Sequence, residues 1–266
     1  MKIVGLCKAL TCADFLPAVL DGIYDQLDQI VFLYPQKAWD GAEVVNEVKP
    51  FVRQWRRIND YAFKIVEMET DHIKQSLQYT YTINQIINTM HPDWILLFDT
   101  DEVWDSKQLK KLIEIALEND IVNAIHTGMR TYIKSPLYRI DPAEPCRPCV
   151  LVRAIPGICQ GVRGNQTFPR YVAEDIYFHH FSYVRTTEEE VFRKARLSTL
   201  SDGLQLVDMD QWKKEKWDML PSVHNFHTTL GAEKCWQNVK VIDEKILPAA
   251  VRELSIYKQL VGGSDE

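Results

Sequence analysis

The amino-acid sequence predicts an α/β fold: a mostly parallel mixed sheet with helices on both faces, continued by an elaborated C-terminal region. Three observations predict it. Over the first hundred residues, short apolar β-rich runs alternate with segments of helical spacing, the pattern of strands joined by crossover helices. The fourth run, residues 94–98 (WILLF), is apolar throughout, as suits a strand covered on both faces. Hydrophobic residues make up 46% of the 266, enough for a sizeable core.

Each element follows in order. Residues 2–7 (KIVGLC) form the first strand. Residues 14–24 place Phe15, Leu16, Val19, Leu20 and Ile23 at helical spacing. Residues 29–34 (QIVFLY) are the second strand, ended by Pro35, which cannot continue a central ladder. Residues 42–57 read as helix and 61–68 (YAFKIVEM) as the third strand. Between 72 and 90, Ile73, Leu77, Tyr81, Ile83, Ile86, Ile87 and Met90 lie near one helical face. His91 and Pro92 stop that helix. A helix over 106–119 and a strand or two over 121–134 come next. Residues 135–170 are rich in proline, glycine and cysteine and predict loops or short hairpins. Residues 176–184 (IYFHHFSYV) form a strand, and Thr186 with Glu189 fits a capping box that opens a further helix. The tail GGSDE is expected to fray.

The formal charge of −6 gives no global pull toward nucleic acid or an anionic membrane. No stretch approaches the roughly 18 apolar residues that cross a bilayer, and the charged N-terminus makes a poor signal peptide. Cysteines 7, 12, 146, 149, 159 and 235 are scattered, which predicts a reduced, cytoplasmic chain rather than a disulfide framework. Cys146 and Cys149 form a CxxC with no second CxxC, so loop thiols are expected there rather than zinc.

The chemistry concentrates at Asp99, Asp101 and Glu102, where WILLF ends. Ligands of open α/β sheets bind beyond the carboxyl ends of the strands. Two carboxylates held in one small volume repel, and a dication removes that penalty. Hard oxygen ligands suit Mg2+ or Mn2+, which keep positions open for water and phosphate. A nucleoside diphosphate supplies such oxygens. The competing reading is a solvated acidic turn.

The strand KIVGLCK, the apolar strand ending in DTDE, and the later HHFSYVR together resemble the GT-A fold, a Rossmann-like architecture, and more narrowly family 2 glycosyltransferases and their relatives. The similarity is best over residues 1–105 and returns at 179–185. It implies a nucleotide-sugar-binding half, 1–105, and an acceptor-binding and C-terminal half, 106–266, of one domain. It implies Asp99 near the donor ribose and metal, Asp101 as direct ligand of Mn2+ or Mg2+, and His180 as a third ligand. It also implies a nucleotide base, UDP by default, held between Lys8 and Asp14 and by Glu69 or Asp71. The segment KALTCAD departs from the Arg-Asn-Glu-like run of many relatives. The reaction implied is inverting transfer of a sugar to an acceptor hydroxyl. Glycan, lipid, protein, small molecule and modified nucleobase all stay open as acceptor.

Other residues carry alternatives. His179 and His180 are adjacent in a strand and face opposite sides, and His224 with His227 forms a rival pair. Arg185, Arg193, Lys194 and Arg196 read either as a solvated helix face or as a clamp on the donor diphosphate, for which Arg185 and Lys194 are the candidates. Arg163 and Arg170 could act likewise on an acceptor. A general base is sought at Asp175 or Glu174, with Asp141 and Glu144 also possible. Two rival functions stand: a haloacid-dehalogenase-like phosphatase using FDTDEV, with Asp99 as nucleophile, and a non-catalytic nucleotide-sugar-binding module.

Overall fold

The computed structural model describes the chain except residues 38–45, 73, 157, 159–162, 164–168, 203–204, 233–234 and 263–266. A ten-stranded mixed sheet forms its centre. β1 (Ile3–Lys8), β2 (Gln29–Pro35), β3 (Ile65–Thr70) and β4 (Trp94–Asp99) run parallel in the order β3-β2-β1-β4. Beyond β4 the sheet turns mostly antiparallel through β8 (Cys149–Arg153), β6 (Ala124–Ile133), β7 (Ser135–Asp141) and β10 (Asn238–Val241). The short β5 (Glu102–Val103) pairs with the long β9 (Arg170–Tyr183), which also runs parallel to β6.

Both faces of the parallel part are covered. Trp94, Leu96 and Phe98 pack into a cluster shared with α1 (Leu16–Ile23) and α4 (Ser106–Glu118). Ile95 and Leu97 point the other way, onto Tyr79, Ile83 and Ile86 of α3 (Gln75–Met90). The period of two along a strand thus explains why WILLF has no polar position. A third cluster, around Trp212, Trp217, Phe226 and Trp236, supports the far end of β9 through Tyr183.

Several boundaries differ from the sequence reading, for local reasons. β3 starts at Ile65 because residues 60–64 form a turn instead. There the buried Asp60 accepts from the backbone N–H of Lys64 and Ile65 and from the Tyr24 hydroxyl. The capping box sits one residue later than expected, at the start of α5 (Glu188–Asp202). Thr187 Oγ1 accepts from the Glu190 N–H, and the Glu190 carboxylate accepts from the Thr187 N–H. Residues 135–170, expected as loops or short hairpins, contain β7 and β8, and β8 is a central strand lodged between β4 and β6. The helix expected over 42–57 is α2 (Val48–Asn59); residues 42–45 lie outside the described set, as do Ile73, Cys159 and the tail from 263. His91 ends α3 in the left-handed conformation. No helix among the described residues is long and apolar enough to cross a membrane.

Candidate active site

In the order β3-β2-β1-β4 the connections change sides between β1 and β4. That switch point is where open α/β sheets form a crevice. The register there places Lys8, the last residue of β1, beside Asp99, the last residue of β4. Two bonds then fix the acidic loop. Thr100 Oγ1 donates to the Thr11 carbonyl at 2.6 Å, and the Phe181 N–H donates to the Asp101 carbonyl at 2.9 Å. Glu102 pairs with His180 across β5 and β9. Backbone ladders therefore deliver Lys8, Asp99, Asp101, Glu102 and His180 to one place.

Asp101 is buried, with 2% of its surface exposed. Its carboxylate meets Arg185 Nη2 at 2.9 Å, Lys194 Nζ at 3.6 Å and His180 Nε2 at 3.8 Å. Burial alone would raise its pKa, but Lys194, His180 and Arg185 outweigh that and hold it well below the usual range. Asp99 is more open. It lies 3.6 Å from Arg163 Nη1 and accepts from the Tyr79 hydroxyl at 3.5 Å. The Arg163 guanidinium also forms a short ion pair with Glu102 and donates to the Leu97 carbonyl at 3.1 Å. Burial pushes Glu102 up to about 7 against the pull of Arg163.

Three carboxylates therefore face four cations: Lys8, Arg163, Arg185 and Lys194. Asp14, with Glu47 and Glu190, borders Arg185 and Lys194 on the outer side, so acids and bases interleave there. The basic side chains are spread over four separate stretches of sequence.

The histidine pair divides as the strand period requires. His179 points into the core, where its Nδ1 bonds the Tyr132 hydroxyl at 2.8 Å. His180 turns toward Asp101. Burial pushes the His180 pKa down to about 4, so the ring is neutral at pH 7, the form a metal requires. Among the described residues, no three His, Cys, Asp or Glu side chains converge closely enough to hold a metal ion. The donor set still fits Mg2+ or Mn2+ in one way. Asp101 Oδ1 and the neutral His180 can offer two ligands, with Asp99 at the rim, and phosphate and water oxygens complete the sphere. Hard dications are commonly bound in that way, by one or two protein ligands plus substrate phosphates.

The remaining sequence candidates scatter. Asp14 lines a narrow cleft with Arg185 and Lys194, so it belongs to this neighbourhood. Glu69 sits at the end of β3 on the open surface, bound by Lys49 and Gln36. Asp71 is exposed just beyond it. Glu174 and Asp175 are exposed where β9 shifts register against β6, and Glu174 pairs with Arg147 at 3.4 Å. They lie five and six positions before His180, about 15–20 Å along an extended strand. Arg193 pairs with Glu47 at the surface. Arg163, which the sequence offered for an acceptor, joins the acidic loop instead. His224 bonds Asn238 near the surface, and His227 packs edge-on to Trp236 at 4.3 Å. Cys146 is exposed and Cys149 is buried within β8, and no disulfide joins them. Tyr79 was missed as a site residue because the sequence reading put Leu77 and Tyr81 on the buried face; both are exposed, and α3 turns Tyr79 inward with Ile83 and Ile86.

No protein-family model and no curated protein sequence matches the chain. Solved structures share part of its chain path. The first 349 residues of Staphylococcus aureus TarS in complex with UDP are 10% identical, with a TM-score of 0.46, over 80% of this chain and 69% of that one. Rv0371c from Mycobacterium tuberculosis H37Rv is 11% identical, with a TM-score of 0.43, over 73% of this chain and 96% of that one. CMP:2-keto-3-deoxy-manno-octonic acid synthetase complexed with CTP is 9% identical, with a TM-score of 0.38, over 74% and 99%. Overlap of this extent leaves the function to be read from the site.

Proposed function

We propose that this chain is a glycosyltransferase that moves a sugar from a nucleoside diphosphate donor, UDP by preference, to an acceptor hydroxyl with inversion. One observation carries the reading: at the switch point of the sheet, Lys8, Arg163, Arg185 and Lys194 converge on Asp99, Asp101 and Glu102. Cations held in this way suit a clamp on a diphosphate.

In this reading Asp101 and His180 hold Mn2+ or Mg2+ together with the diphosphate, with Asp99 near the ribose and metal. When bound, the dication supplies Lewis-acid stabilisation of the charge that grows on the leaving group. The chain's own residues do the rest. Arg185 and Lys194 fix the Asp101 carboxylate and turn their remaining N–H groups toward the phosphates. Lys8 adds charge from the floor of the crevice. Arg163 keeps Glu102 and Asp99 in place. Asp14, beside Arg185, borders the nucleotide, while Glu69 and Asp71 lie farther out along the strand ends.

The test is a thermal-shift screen of nucleotide sugars with and without Mn2+. A ligand at one hundred times its Kd stabilises by about 2.7 kcal/mol. A selective shift by one nucleotide class, lost in Asp101→Ala, is expected. Uniform silence across UDP, GDP, CDP and TDP sugars would remove the reading. Release of phosphate from a phosphomonoester would replace it with the phosphatase.

A further inference from the structure

His180 also lines a second cleft, of about 300 Å3. That is the lower end of the range for small-molecule sites, roughly 300–1,000 Å3. Its walls include Thr131 of β6, Glu144 from the β7–β8 connection, His180 and Tyr183 of β9, and Ala232 and Trp236 from the C-terminal region. His180 is thus shared by the two places, with Nε2 toward Asp101 and the residue in the wall of the cleft.

Thr131 and Trp236 turn their polar atoms to the Glu144 carboxyl, and both favour its ionised form. His180 Nδ1, buried in the same wall, has no hydrogen-bond partner. A buried polar atom costs about 1–3 kcal/mol when left unmet, so this wall favours an occupant that can hydrogen-bond. Glu144 is the acid of the wall, oriented by its two neighbours. Burial outweighs them and moves its pKa upward, in the direction that strengthens a base near neutral pH.

The kind of ligand follows from how Trp236 is held. Its ring is packed by Tyr183 at 5.0 Å, by Phe226 at 5.7 Å and by His227 at 4.3 Å. Its N–H is turned to Glu144, so it offers the cleft no open aromatic face. A flat nucleobase or an alkyl chain would want such a face. A ring bearing several hydroxyls satisfies an imidazole and a carboxylate together.

We propose that this cleft receives a terminal sugar residue of the acceptor and that Glu144 is the general base of the transfer. The proposal rests on the nucleotide-sugar reading above. The acceptor oxygen forms a bond to the anomeric carbon of the donor sugar. The bond from that carbon to the diphosphate oxygen breaks, and its electron pair leaves with the nucleoside diphosphate. The proton of the attacking hydroxyl passes to the Glu144 carboxylate. Glu174 and Asp175, the bases first suggested by sequence, are exposed to solvent, and Glu174 is paired with Arg147, which also donates to the Glu144 carbonyl.

The experiment uses methyl glucoside, galactoside, mannoside and N-acetylglucosaminide as probes, with binding read by saturation-transfer NMR on the full chain. Binding of at least one is expected, lost in Ala232→Trp, which fills the cleft, with UDP affinity changed less than about twofold. UDP release from mixed UDP-glucose, UDP-galactose and UDP-N-acetylglucosamine, in the presence of that glycoside, should fall about 100-fold or more in Glu144→Gln, with glycoside binding retained. No glycoside bound by the wild type, or binding indifferent to Ala232→Trp, overturns the cleft. Equal release rates in wild type and Glu144→Gln, zero included, overturn the base. Displacement of the glycoside by thymidine or dodecanol overturns the sugar class in favour of a nucleobase or a lipid. Glycoside binding without any UDP binding sinks the donor reading and leaves the cleft standing.

Discussion

Replacing Arg163 by Met removes a side chain that reaches both Asp99 and Glu102. Glu102 is 3% exposed and Arg163 9%, so the pair is screened by protein rather than water. Breaking a buried pair from one side costs about 3–5 kcal/mol, because the remaining charge has no partner. For a domain of this size each kcal/mol moves Tm by about 2–4 °C, so a fall of roughly 6–20 °C at pH 8 is expected. The double variant Arg163→Met with Glu102→Gln should recover at least about 2 kcal/mol, since removing both charges spares the orphaned one. The loss should also shrink at pH 5. Burial already raises the Glu102 pKa to about 7, and removing the cation raises it further. A carboxylate whose folded pKa lies above its unfolded 4.5 loses stability as pH rises through the folded value. At pH 5 the orphaned acid is protonated and harmless. Differential scanning fluorimetry of the three proteins at both pH values decides it. A double variant no more stable than Arg163→Met, or a loss that does not depend on pH, would refute the reasoning.

Asp101→Asn should lower Tm at pH 7 and flatten the acid limb of the stability curve. The wild-type carboxylate has a depressed pKa, so its contribution is present above the unfolded value of 3.8 and is lost as pH falls below it. Melting from pH 2.5 to 7 checks this, and parallel curves for the two proteins contradict it. Mn2+ alone should leave Tm unchanged, and Mn2+ with UDP should raise it more than UDP does, because no three ligands converge among the described residues. A shift by Mn2+ alone would point to a self-sufficient metal site. Gly22→Ala should destabilise by about 1–3 kcal/mol, since a Cβ there would stand 2.2 Å from the Trp104 carbonyl oxygen; an unchanged Tm would show that α1 can retreat from β5.

The parallel half of the fold was legible because its signals are local. An apolar run covered on both faces, a Pro after β2 and a His-Pro after α3 each carry their own physical reason. The opposite facings of His179 and His180 follow from the strand period alone. What the sequence hid depends on long-range packing. Arg163 is 61 residues from Glu102 and sits in a proline- and glycine-rich stretch without period, so nothing local joins them. β8 is a central strand although the prolines around it suggest loop, because it is buried between β4 and β6. The place of Glu144 beside Thr131 and Trp236 is set by three segments far apart in the chain. The sequence favoured the carboxylates at 174 and 175 over Glu144, and only their solvent exposure in the fold sets them apart.

The pairing of β5 with β9 puts Glu102 opposite His180 and Val103 opposite His179, and the Phe181 amide closes on Asp101. These bonds are main-chain, so they survive any exchange of side chains along the two strands. Isosteric replacements there should keep their positions while changing their chemistry. A panel of such exchanges would then compare functional groups at fixed coordinates, as a chemist varies substituents on a rigid ring.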